Sequence, residues 1–116
     1  MSYITKDSGK RKDFKSGMRR DTDEDKPRYD LIYQPMITRL AYLMARGAVK
    51  YGDNNWQKAN SIEELKRFKA SAYRHFMQWF NDLDVEEDHA AAIQFNVNAV
   101  EYMKDKLRNE NNSCKL

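Results

Sequence analysis

Cysteine is nearly missing from this chain: Cys114, third from the end, is the only one. A lone cysteine excludes an internal disulfide framework and a cysteine-based zinc site. Proline and glycine are also scarce, with two and four residues, and no glycine-rich phosphate loop is present. Strand alternation of useful length, internal repeats and coiled-coil heptads are absent too. No apolar run approaches the ~20 residues of a membrane span, and the N-terminus lacks an apolar signal region, so no membrane role and a cytoplasmic location are expected.

What is there is charge and helix-forming sequence. In 116 residues, 41% apolar content supports a single domain with a modest core, while 34% charged residues limit how large that core can be. Much of the charge lies in the first quarter, which leaves a folding part of about 90 residues, a size helped by burial against a partner subunit. A homo-oligomer is therefore expected. The net charge of +3 arises from interspersed signs, so the overall field is weak and does not argue for nucleic acid. The basic cluster "GKRKDFK" reads either as a solvated tail or as a binding arm.

Residues 1–25 show little apolar periodicity and read as a flexible charged arm, 26–108 as a helical domain, and 109–116 as a frayed tail. Pro27 and Pro35 hold the residues before them extended, making "PRYDLIYQP" an ordered strap. Helix one starts near Pro35, with Ile37, Leu40, Ala41, Met44 and Ala48 on one face, and ends between Lys50 and Gly52. Helix two opens on Ser61 with Glu64 as a capping box, and carries a stripe of Leu65, Phe68, Ala72, His75, Phe76 and Trp79. In "NDLDVEED", Asp84 is the expected cap of helix three, with Glu87 as its partner. From His89 to Met103 that helix is apolar on nearly every side, as in a helix enclosed by neighbours. The class is all-α: a small bundle of three main helices with an extended charged N-terminal arm, completed by oligomerisation.

Three sets of polar residues stand out against this frame. Gln94, Asn96 and Asn98 sit within the enclosed third helix, where an amide without partners costs about 1 to 3 kcal/mol. Asp88, His89 and Asn96 share a face relieved only by alanines, which suits a ligand or an inter-helix amide network equally. His75 on the stripe of helix two is either a hydrogen-bonded core histidine or a ligand contact, and Arg74 beside it needs an anion or a carboxylate. Asp84, Glu87 and Asp88 point the same way at i, i+3 and i+4; they supply part of a magnesium site, or simply cap a helix. With only two histidines, in the order Asp88-His89, a histidine-aspartate phosphohydrolase centre is not indicated, nor is a zinc site or a nucleophilic residue in a recognisable motif.

The ordered series "RDTDEDKPRYDLI", "RGAVKYGDNNWQKA", "AYRHFMQWF" and "EEDHAAAIQFN" resembles the phage and bacterial dATP/dGTP diphosphohydrolase-like proteins, related to the MazG/MazZ group of all-α pyrophosphohydrolases. The resemblance covers residues 19–107. It implies a helical homo-oligomer that takes a purine deoxynucleoside triphosphate with magnesium and cleaves between the α and β phosphates, giving monophosphate and pyrophosphate. Lys50, Asn55 and Trp56 match the first of its motifs, Arg74 and His75 the second, and Glu87, Asp88, His89 and Asn96 the third. On this reading Asp84, Glu87 and Asp88 hold metal, and Glu87, Asp88 and His75 serve the chemistry. Lys50 and Arg74 neutralise phosphate, while Asn55, Trp56, His89, Asn96 and Asn98 contact the rest of the substrate.

Helix one contains no acid, so the paired Glu-x-x-Glu and Glu-x-x-Asp motifs of the MazG type are absent as written. That departure motivates an alternative: a protein on the same scaffold that sequesters a nucleotide or a nucleotide-derived signal, of the kind useful to a phage against host defence. A third alternative is a structural interaction module.

Overall fold

The computed structural model describes residues 3–22 and 24–114, with side chains as far as 110. It divides into two compact units, residues 1–32 and 33–116.

The first unit holds a feature the sequence did not announce. Strands β1 (Arg11–Asp13) and β2 (Arg19–Asp21) pair antiparallel, with Arg11 opposite Asp21 and Asp13 opposite Arg19. Gly17, at φ +92°, lets the chain reverse, and its amide donates to the Phe14 carbonyl. Ion pairs hold the hairpin where an apolar core cannot. Arg11 grips Asp7 through two 2.7 Å bonds, Arg19 bonds Asp13, and Lys10 meets Glu24 at 2.9 Å. The segment expected as a flexible arm thus contains a short charged hairpin. The 3-10 turn Tyr29–Leu31 lies in the strap, where Tyr29 and Leu31 remain exposed.

The second unit is three helices. Helix α1 (Gln34–Tyr51) starts with proline in its first turn and ends at Gly52, whose φ of +93° closes it. A 3-10 turn, Asn55–Lys58, follows from Asn54 in the left-handed conformation. Helix α2 (Ile62–Phe80) is capped by Ser61, whose Oγ accepts from the Glu64 amide; the Glu64 carboxylate answers by accepting from Ser61 Oγ and the Asn60 amide. Helix α3 (His89–Cys114) runs past the expected frayed end.

Helix α3 is the common partner, packing mainly against α2 and also against α1. Ala91 and Ala99 are fully buried, and such small residues let helix backbones approach closely. Ala59, Leu65, Val100 and Met103 form the core, flanked by Phe68 and Leu107. Enclosure of α3 is incomplete, since Val97 and Asn98 face outward. No residue of α1 is fully buried, and Phe76 and Trp79, expected inward, are about half exposed.

Candidate functional site

Between α2 and α3, the loop 81–88 decides which polar groups meet. Asp82 and Asp84 both adopt positive φ, +53° and +47°, a conformation that aspartate tolerates better than most residues. This tight path turns the Asp84 carbonyl towards the next helix, where it accepts from the Glu87 amide at 3.2 Å and from His89 Nε2 at 2.8 Å. Asp84 therefore does not cap α3. Asp88 does, accepting from the Ala91 amide at 3.1 Å, because α3 begins four residues beyond the expected point.

Two histidines then face each other from different helices. His75 on α2 and His89 at the start of α3 are both buried, with their Nδ1 atoms 3.0 Å apart. Glu87 approaches from the loop, its Oε1 3.8 Å from His75 Nε2. Burial pushes the His75 pKa down; Glu87 opposes this, and the nearby charges of Arg74 and His89 add to it.

The remaining acid in this cluster is committed. Arg39 on α1 donates to both oxygens of Asp88, at 2.7 and 2.6 Å, and this contact is the main reason the Asp88 carboxyl is held below its ordinary range. Arg39, Gln78, Glu87, Asp88 and His89 line a pocket of about 310 Å³, and Gln78 turns a buried carboxamide oxygen without a hydrogen-bond partner. Asp84 is exposed beside this cluster.

A second, larger pocket of about 680 Å³ opens between α1, the turn after it and the α2–α3 pair. Residues 51–56 line it, with Met44, Phe68 and Phe95. Trp56 meets Phe95 edge-on at 5.9 Å and Tyr102 at 5.0 Å, and Phe68 meets Phe95 at 6.4 Å. The turn is tied down from α3: Lys106 donates to the carbonyls of Gln57 and Ala59, at 3.0 and 2.8 Å.

The residues singled out in the sequence thus fall into three groups. Asn55 and Trp56 line the larger pocket. His75, Glu87, Asp88 and His89 come together at the other end of the α2–α3 pair, with Asp84 alongside. Lys50 and Arg74 are exposed; Lys50 sits in the last turn of α1, which suits a cation, and the Arg74 guanidinium lies 3.5 Å from Ser71 Oγ. Asn96 is buried and Asn98 exposed, on different sides of α3, and each donates its amide to the carbonyl four residues back, Ala92 and Gln94. Sequence reasoning missed Arg39, Gln78, Phe68 and Phe95. For Arg39 a signal existed, since a cation in a helix with no acid must find its carboxylate elsewhere.

The fold and site define a small all-α domain with an aromatic pocket at one end of a helix pair and a histidine–carboxylate cluster at the other. The family described as dATP/dGTP diphosphohydrolase, N-terminal, matches residues 16–112, and the chain belongs to that family. Comparison with curated proteins and with solved structures gives no match. Among the described residues, no helix is long and apolar enough to cross a membrane.

Proposed function

We propose that this chain binds a purine deoxynucleoside triphosphate, with the base at Trp56 and the phosphates towards His75 and Glu87, and cleaves it between the α and β phosphates. The observation that carries the reading is the alignment of the two pockets along one helix pair. Phe68 and His75 lie seven residues apart on the same side of α2, about 10 Å along the axis at ~1.5 Å per residue. On α3, Phe95 and His89 repeat that order in reverse. A purine against aromatic edges at one end would bring its phosphates to the cluster at the other. Asn54 and Asn55 supply amides for the base edge, Arg39 lines the pocket beside the cluster, and the charge of Arg74 acts on His75.

Magnesium fits this site only in company with the substrate. The ion demands oxygen ligands in octahedral array and commonly uses one or two carboxylates plus substrate phosphates. Asp88 is taken by Arg39 and α1 offers no acid, so a resident cage of carboxylates does not fit. Glu87 and Asp84 are exposed and can meet a magnesium that arrives on the triphosphate.

Incubation with a panel of dNTPs and NTPs plus magnesium, read as monophosphate and pyrophosphate, tests the cleavage. Release from dATP or dGTP above the other nucleotides is expected; no release from any nucleotide would sink it. The commitment of Asp88 to Arg39 favours a second reading, a protein that binds the nucleotide and holds it intact. Calorimetry followed by recovery of unchanged ligand separates the two.

A further inference from the structure

We propose that His75, His89 and Glu87 form a site for a divalent transition metal of the zinc class, distinct from any magnesium carried by substrate. A carbonyl oxygen only accepts, so the 2.8 Å contact to Asp84 fixes a proton on His89 Nε2. His89 Nδ1 then faces His75 Nδ1 at 3.0 Å, and one hydrogen fills that gap. His75 turns its other nitrogen, Nε2, towards the Glu87 carboxylate at 3.8 Å, too far for a hydrogen bond. Two buried imidazoles from different helices are thus brought nitrogen to nitrogen with a carboxylate beside them.

A metal ion can take the place of the shared hydrogen. Zinc takes nitrogen and oxygen ligands at ~2.0 to 2.2 Å, so two donors on one ion stand about 3.0 to 3.4 Å apart at bond angles near 90 to 110°. The two Nδ1 atoms already meet that spacing. One donor atom from each of the three residues lies within 4.8 Å of the others. Glu87 is half-exposed beside the two imidazoles, its Oε1 3.8 Å from His75 Nε2. The orientation of His89 is also that of a metal ligand, since its far N–H is held by a backbone carbonyl while Nδ1 points inward. Two imidazoles with one carboxylate leave coordination positions open, and Glu87 and His89 line the 310 Å³ pocket. A bound ion there would give that pocket a positive centre. Magnesium is a poor competitor, because it prefers oxygen to imidazole.

The site shares His75 and Glu87 with the nucleotide reading but does not rest on it, and its test uses no nucleotide. The chelator-stripped full chain is titrated with zinc alone and with cobalt alone, followed by calorimetry, cobalt absorption and thermal melting. About one equivalent per chain and a raised Tm are expected. Glu87→Gln, at an exposed position, should weaken binding by roughly tenfold or more. His75→Asn and His89→Asn should abolish it, and Cys114→Ser should leave it unchanged. Because the histidines are buried, long-range nitrogen NMR of the unmodified protein provides a second measurement. Zinc should shift His89 Nδ1 while its Nε2 proton persists. Absence of binding, binding unchanged in Glu87→Gln, loss of binding in Cys114→Ser, or an unperturbed His89 Nδ1 in the zinc-saturated protein would each overturn the proposal.

Discussion

Arg39 holds both carboxylate oxygens of Asp88 across 49 residues of chain, and through that grip α1 is fastened to the capped start of α3. Asp88 thus has two structural duties, a cap and an ion pair. A lost cap costs about 0.5 to 2 kcal/mol, and a partly exposed ion pair adds about 0 to 1. Asp88→Ala should therefore destabilise by about 0.5 to 3 kcal/mol in urea unfolding, and Arg39→Met by less, since the cap survives.

The same pair gives stability a sign in pH. The folded Asp88 pKa is depressed, mainly by Arg39, so its contribution is present above the unfolded value near 3.9 and is lost as pH falls through the folded value. Acid unfolding of Asp88→Asn should be shallower than that of the parent below about pH 4. Equal slopes would mean that Asp88 is not coupled to Arg39 in solution.

Trp56 can report on its own pocket. The chain has two tryptophans, so Trp79→Phe leaves Trp56 as the sole indole fluorophore. Adding dATP or dGTP should quench or shift that emission if a purine lies against the ring. Pyrimidine nucleotides should do so less, and no change with any nucleotide would remove the base from this pocket. Lys50→Ala tests the placing of the phosphates: with them at His75 and Glu87, nucleotide affinity and folding should both be little changed, since Lys50 is exposed and lines neither pocket.

Lys106 pins the turn that carries Trp56. Hydrogen bonds from a charged donor contribute about 1.5 to 3 kcal/mol each at most, and Lys106 makes two, partly buried. Lys106→Met keeps much of the side-chain stem, so it should loosen the turn more than the helices. Faster amide exchange at 55–59, with exchange in the middle of α2 little changed, is the expected signature.

Phe76 and Phe80 stack at 5.9 Å near the end of α2, yet Phe80 stays 68% exposed, with Leu83 and Val85 also open nearby. A patch of this kind is costly on a monomer. The homo-oligomer expected from the sequence would place an interface here. Sedimentation should find an oligomer, and Phe80→Asp should shift it towards monomer without altering helix content.

Local rules made the helices legible. Pro35, Gly52, Ser61 and Glu64 act on the backbone within a few residues of themselves, so the bounds of α1 and the start of α2 could be read directly. The start of α3 was misplaced because both Asp84 and Asp88 are good caps. Only the positive φ at Asp82 and Asp84 shows that the chain is still turning there. The hairpin at 11–21 escaped notice because charge pairing holds it, and charge pairing has no hydrophobic period.

The sequence by itself determined an all-α domain, its family, and the presence of His75 and His89 on apolar stretches of helix and of Glu87 and Asp88 in an acidic turn. Tertiary structure alone decided their partners. Residues 14 apart became two imidazoles at 3.0 Å, and Asp88, a candidate for metal, was claimed by an arginine on another helix. The reason is physical. Helix propensity and capping act over one or two turns, whereas hydrogen bonds and metal geometry depend on distances of a few tenths of an ångström between elements. Those distances are set by how alanines such as Ala91 and Ala99 let α3 pack against its neighbours.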